Sequence, residues 1–193
     1  MKDYDIIIDR QTANEENHLC ISEALKLVPS HTISLDIGCN SGWLMEEMTK
    51  KGCICYGVDN SKKVIKIARN KGLNVIFSDA QNIPLESSYF DIITMVSVLQ
   101  QCTKDEICLI LGECWRLLKD PGWIIGINPM PNGGWGYSAI GKSPYVKSVI
   151  EPNLFCSDFH PEGHTYWKQI SKDNYVFKIH TRFIKELIDA IQK

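Results

Sequence analysis

Leu35-Asp-Ile-Gly-Cys-Asn-Ser-Gly-Trp43 stands where a short β-type run, Ile33–Ile37, hands over to a helical stretch. Glycines at such a junction let the backbone come close to a ligand, and the free N–H groups of the following helix point at it. The pyrophosphate-binding form of this turn needs G-x-G-x-x-G. Only Gly38 and Gly42 are present here, with Asn40 between them, so the dinucleotide pattern is not met. A tight strand-to-helix turn without a ligand is the alternative reading of this stretch taken alone.

Working outward, β-type and helical runs alternate. A first helix is expected after Thr12, with Thr12 as cap and Glu15 reaching back to it, ended by Pro29. Helices are then expected at 42–51, 61–71 (capped by Ser61) and 104–119 (Thr103 and Glu106 as a capping box). Strands are expected at 33–37, 53–58, 74–78, 90–98 and 122–128. The run from Phe90 is almost continuously apolar, as in a strand buried on both faces. This order gives an α/β fold, a doubly wound, mostly parallel sheet with helices on both faces. Between 129 and 179 the periodicity dissolves into a stretch rich in Gly, Pro and aromatics, and long segments of that kind are usually functional. A last helix is expected at 180–193. The chain thus divides into a helical cap (1–30), a core (31–128), an irregular segment (129–179) and a final helix, within one domain.

The 193 residues suffice for one core, and a formal net charge of -2 with no run of like charge argues against a broad nucleic-acid surface. No stretch is apolar enough to span a bilayer, and the start carries no secretory signal pattern. The 8 cysteines are scattered, or sit as Cys53-x-Cys55, without zinc-type pairs. They read as reduced, mostly buried thiols of a cytoplasmic protein.

Two further signals lie downstream. Gly57-Val-Asp59 ends the second strand, where a carboxylate can accept both hydroxyls of a ribose. Alone, Asp59 before Asn60-Ser61 could equally begin a turn or cap the next helix. Phe77-Ser-Asp-Ala-Gln-Asn-Ile-Pro-Leu85 follows the third strand. Ser88-Tyr-Phe-Asp-Ile-Ile93 and Glu113-Cys-Trp-Arg-Leu-Leu-Lys-Asp-Pro-Gly-Trp123 flank the later elements.

Together these stretches, over about residues 31 to 128, resemble the motifs of class I S-adenosylmethionine-dependent methyltransferases, small-molecule type, with a Rossmann-like fold. Asp36, Gly38 and Gly42 match the first motif, D/E-x-G-x-G-x-G, and Asn40 replaces its middle glycine. Asn tolerates the left-handed conformation, so the departure is mild. Asp120 is one residue more than the usual R-x-L-K-P-G-G segment, and Trp123 replaces its second glycine. The resemblance implies S-adenosylmethionine as cofactor, with S-adenosylhomocysteine as product. It places Asp36, Gly38, Cys39, Asn40 and Gly42 around the methionine part, Asp59 at the ribose, Asp79 and Ala80 at the adenine, and counts Asn60 and Val96 among the cofactor-binding residues.

Methyl transfer needs the acceptor held in line and water excluded; a base is needed only if the acceptor must lose a proton. Gln100 and Gln101 occupy the place where many relatives of this type carry histidine. They can hydrogen-bond an acceptor or simply open a loop. Asn128, Trp135, Tyr137, Asp158, His160, His164, Tyr166 and Trp167 are further candidates around an acceptor pocket beyond the strands' carboxyl ends. His160, His164 and Gln101 are the candidates for catalysis. Cys156, His160 and His164 lack metal-ligand spacing, so no metal is expected.

Members of this fold usually end in a helix and two more strands, whereas here Tyr175–Ile191 reads as the entrance to that helix. Either the sheet lacks its last two strands, or residues 129–179 supply them, or the chain belongs to a longer protein. A short sheet would expose an edge and favour a homodimer. The expected activity is methyl transfer to an O, N or C atom of a small molecule. The alternative is a non-catalytic or incomplete cofactor-binding domain working with a partner chain.

Overall fold

The computed structural model describes residues 8, 10–11, 13–129 and 165–192. In chain order they form α1 (Glu15–Leu27), β1 (Ile33–Ile37), α2 (Trp43–Lys50), β2 (Ile54–Asp59), α3 (Lys62–Asn70), β3 (Asn74–Phe77), β4 (Phe90–Val96), α4 (Lys104–Leu117), β5 (Leu118–Pro129), β6 (Thr165–Gln169), β7 (Asn174–His180) and α5 (Ile184–Gln192). Local chemistry sets several of these boundaries. The Ser61 side chain accepts from Val64 N and starts α3. Thr103 and Glu106 form the expected reciprocal capping box on α4. For α1 the cap is Asn14, whose side chain accepts from Asn17 N, rather than the expected Thr12, which lies outside the described residues.

The strands make one sheet in the order β3-β2-β1-β4-β5-β7-β6. β3, β2, β1, β4 and β5 are parallel, and β7 runs antiparallel to both β5 and β6. One core, with α4 and α5, covers one face and includes Leu35, Ile93, Leu111, Phe177 and Ile191. The other, with α1, α2 and α3, includes Ala24, Met45, Ile65, Ile125 and Val176. The expectation of a doubly wound sheet between two helical layers holds.

The sheet does not lack its last two strands. Thr165–Gln169 and Asn174–His180 form a hairpin at its edge, so the stretch taken as irregular contributes both of them. The final helix accordingly starts at Ile184, after a short 3-10 turn, and not at His180, which ends β7 against Trp123 of β5. β5 also begins four residues earlier than Gly122, because Leu118 pairs with Phe90 across the start of β4.

Candidate functional site

The parallel strands set their carboxyl ends along one edge: Ile37 stands beside Val58 and Met95, Asp59 beside Phe77, and Val96 beside Ile127. The glycine turn leaves β1 at that edge. Gly38 N and Cys39 N both donate to Val58 O, at 2.8 and 3.0 Å, which folds the turn over the end of β2. Gly38, Asn40 and Gly42 all have positive φ, at 71°, 49° and 85°. Asn40 therefore does adopt the left-handed conformation that the missing glycine would take. At Gly42 a side chain would be strained at φ 85° and its Cβ would lie 2.1 Å from Leu73 Cδ1, so Leu73 would have to move. Gly38 is exposed at this edge. The Asn40 side chain accepts from Ile8 N and Ser41 N, both at 2.8 Å, and Ser41 Oγ donates to Ile8 O at 2.7 Å. Residues far apart in sequence thus brace the turn.

Asp36 lies beneath the turn, 4% exposed, and accepts from Thr94 Oγ1 at 2.7 Å. Burial, with the Asp59 charge adding to it against the Thr94 hydrogen bond, pushes its carboxyl up to about 7. Asp59 ends β2 with its carboxylate oriented by backbone: Oδ2 accepts from Asn40 N at 3.0 Å and Oδ1 from Ser61 N at 2.9 Å. Burial raises its pKa, opposed by hydrogen bonds from the backbone of Ser61, Asn40 and Asn60. Both the helix-capping and the ligand readings of Asp59 are compatible with this, because two carboxylate oxygens retain further lone pairs. Asn60 Nδ2 reaches Asp79 Oδ1 at 3.5 Å, and Asp79 is exposed beside half-buried Ala80. An open glycine turn, an oriented carboxylate and an exposed carboxylate one strand further make a set of polar groups that fits a nucleoside with a charged tail.

The other half of the edge lies at β4, β5 and β7. Val96 is half-buried at the end of β4 and is followed by Ser97 at φ 59°, an uncommon conformation for serine. Ser97 N donates to Ile127 O at 3.0 Å, and its carbonyl accepts from Gln101 Nε2 at 2.8 Å. Gln101 thus spends its amide nitrogen on bracing the turn. Gln100 Oε1 is buried without a partner. Asn128 is 2% exposed; its Nδ2 donates to Tyr175 Oη at 3.3 Å, while its Oδ1 has no partner. The Trp167 ring meets Tyr175 edge-on at 6.2 Å. Trp135, Tyr137, Asp158, His160 and His164 lie outside the described residues, and Tyr166 is described only as part of β6.

A cleft of about 680 Å³ lined by Tyr56, Ile83, Leu85, Tyr89 and Arg116 among others opens elsewhere, beside the amino end of β4. Its cation is already bound, to Glu113 and to the carbonyls of Ile83 and Leu85. It does not share the edge that carries the glycine turn.

Residues 35–126 match the family model described as a methyltransferase domain. Over those residues, just under half of its length, the chain is similar to methyltransferase domains. The chain is 27% identical over 158 residues to a ubiquinone biosynthesis O-methyltransferase of Coxiella burnetii, covering 77% of this chain and 65% of the relative. It is 29% identical over 148 residues to the protein of the same name from Nitrosomonas europaea, covering 70% of this chain and 56% of the relative. It therefore spans less than two thirds of the length of either. A methyltransferase structure from Archaeoglobus fulgidus superposes with a TM-score of 0.72 at 17% identity, covering 87% of this chain and 95% of that one. At that identity the likeness speaks to fold alone.

Sequence reasoning about this chain missed Thr94, Ser97 and Tyr175. Thr94 and Tyr175 sit in apolar strands where a hydroxyl reads as ordinary core composition. Nothing local marks Ser97 for positive φ. Their roles appear only once β1, β4, β5 and β7 lie side by side.

Proposed function

We propose that this chain transfers a methyl group from S-adenosylmethionine to an O, N or C atom of a small-molecule acceptor. One observation carries the reading: the open glycine turn and the backbone-oriented carboxylate of Asp59 meet at one sheet edge, while a separate polar cluster sits beside them at β4 and β5. The bound cofactor supplies a sulfonium-activated methyl group. Gly38, Cys39, Asn40 and Gly42 hold its amino-acid end, with Asp36 beneath them keeping the turn in shape. Asp59 takes the ribose, Asp79 and Ala80 the adenine, and Asn60 and Val96 complete the cofactor contacts. Gln100, Asn128 and Trp167, with Trp135 and Tyr137, bound the acceptor pocket, and His160, His164 or Gln101 would move a proton where the acceptor must lose one. Of these, Gln101 is the weakest, because its nitrogen is already engaged and an amide is no base at neutral pH.

Residues 1–193 are read as one domain, acting in the cytoplasm on a small molecule and not on nucleic acid. The net charge of -2 and the buried cysteines support this, and no helix among the described residues is long and apolar enough to cross a membrane. With seven strands present, the argument for an incomplete domain loses its ground, and so does the edge-driven argument for a homodimer.

The test is calorimetric titration with S-adenosylmethionine, S-adenosylhomocysteine and NAD, beside Asp59→Ala. Binding of the two sulfur nucleosides but not NAD, weakened at least about tenfold in the variant, is expected, since a hydrogen-bonded charge contributes on the order of 1.5–3 kcal/mol. Failure of either sulfur nucleoside to bind would overturn the assignment.

A further inference from the structure

Buried polar atoms in folded proteins almost always have partners, and an orphaned acceptor costs on the order of 1–3 kcal/mol. Among the described residues, two buried side-chain atoms lack one: Gln100 Oε1 and Asn128 Oδ1. They do not lie at random. Asn128 is the penultimate residue of β5, and Gln100 belongs to the 3-10 turn, Leu99–Gln101, that follows β4. β4 and β5 are neighbours, and Ser97, just before that turn, donates to Ile127, just before Asn128. Both orphaned oxygens therefore stand at the acceptor half of the edge, next to the proposed cofactor turn.

The surroundings hold the Asn128 amide and the turn that carries Gln100 where they are. Tyr175 Oη takes the Asn128 Nδ2, which leaves Oδ1 as the free atom of that amide. Tyr175 is itself fully buried, with Trp167 against it. On the β4 side, Ser97 keeps a strained left-handed backbone, tied at one end by Ile127 and at the other by Gln101. Strain of this kind persists where surrounding structure enforces it, and it clusters at ligand sites.

From this we infer that Asn128 and Gln100 select the acceptor by hydrogen-bond sense: the acceptor presents O–H or N–H donors to two neutral carbonyl oxygens. The inference rests on the methyltransferase reading and narrows its substrate class. A hydroxylated or amino-bearing compound completes both orphaned atoms on binding. An ether or ester oxygen at the same points sets lone pair against lone pair and leaves the carbonyls unpaired. Sites built to receive a donor reject the analogue lacking it far more strongly than sites that merely fit a shape. The half-buried Trp167 ring packs edge-on against Tyr175 beside Asn128, so a planar ring carrying the donors suits the place. Both residues are positioning and specificity residues, since neither amide exchanges a proton at neutral pH.

The experiment uses the full chain saturated with S-adenosylhomocysteine and two probes of one ring skeleton, resorcinol and 1,3-dimethoxybenzene. Resorcinol is expected to bind at least about tenfold more tightly, the worth of one well-made hydrogen bond in place of an orphaned acceptor. In Asn128→Leu and in Gln100→Leu the ratio is expected to fall toward one while S-adenosylhomocysteine affinity stays unchanged. Asn128→Ala and Gln100→Ala serve if a leucine variant does not fold. Equal binding of the two probes, no binding of either, or a preference that survives both substitutions overturns the inference. Loss of S-adenosylhomocysteine binding by the unsubstituted chain would instead overturn the methyltransferase reading beneath it.

Discussion

Replacing Asp36 by asparagine should make this protein more stable at pH 8 than the unsubstituted chain, by an amount that vanishes in acid. Asp36 is 4% exposed, and burial lifts its carboxyl from 3.8 to about 7, with the nearby Asp59 charge contributing in the same direction. The folded state therefore keeps a proton on Asp36 at pH values where the unfolded chain has released it. Between about pH 4 and pH 7 the folded protein binds more protons than the unfolded one, so stability falls as pH rises through that window. The full displacement corresponds to about 4 kcal/mol, reached above pH 7 and absent below pH 4. Asparagine keeps an oxygen for the Thr94 hydroxyl, 2.7 Å away, and cannot ionise. Urea unfolding of both proteins at pH 5, 6, 7 and 8 reads this directly. The variant-minus-parent difference is expected to grow by a few kcal/mol from pH 5 to pH 8, and groups common to both proteins drop out of it to first order. Parallel curves across that range would refute the reasoning, because they would mean that Asp36 titrates as it does in the unfolded chain.

Gly42→Ala forces a side chain into φ 85° and brings its Cβ to 2.1 Å from Leu73 Cδ1, so a loss of about 2 kcal/mol is expected in thermal or urea unfolding. Adding Leu73→Ala should recover only part of it, since the backbone strain remains. Arg116→Ala removes the bonds to Ile83 O, Leu85 O and Ser87 Oγ and the pair with Glu113, and should lower stability on the order of 2 kcal/mol while leaving S-adenosylhomocysteine affinity intact. A fall in that affinity would connect the Arg116 cleft to the cofactor edge.

The elements readable in the sequence were those governed by their neighbours along the chain. β1 at Ile33–Ile37 and the starts of α3 and α4 follow from strand patterning and from caps that lie within three residues of what they cap. The glycine turn was legible for the same reason, as its conformation depends on which residues can take positive φ. The nearby Asn14 displaced Thr12 as cap of α1, a choice between two competent residues two positions apart that pattern alone does not make. β6 and β7 escaped because their signal is not local. Tyr175–Ile179 is mostly apolar, broken only by Lys178, which suits a buried strand or a helix entrance equally well. Only its antiparallel pairing with β5, from Trp123 to Pro129, makes it a strand. The same pairing brings Tyr175 to Asn128, 47 residues away in sequence, and leaves the Asn128 oxygen without a donor. Local capping and glycine chemistry are written in residues a few positions apart and so survive in the sequence. Which buried polar atoms find partners depends on chain segments meeting across the sheet, and that was decided by the tertiary structure alone.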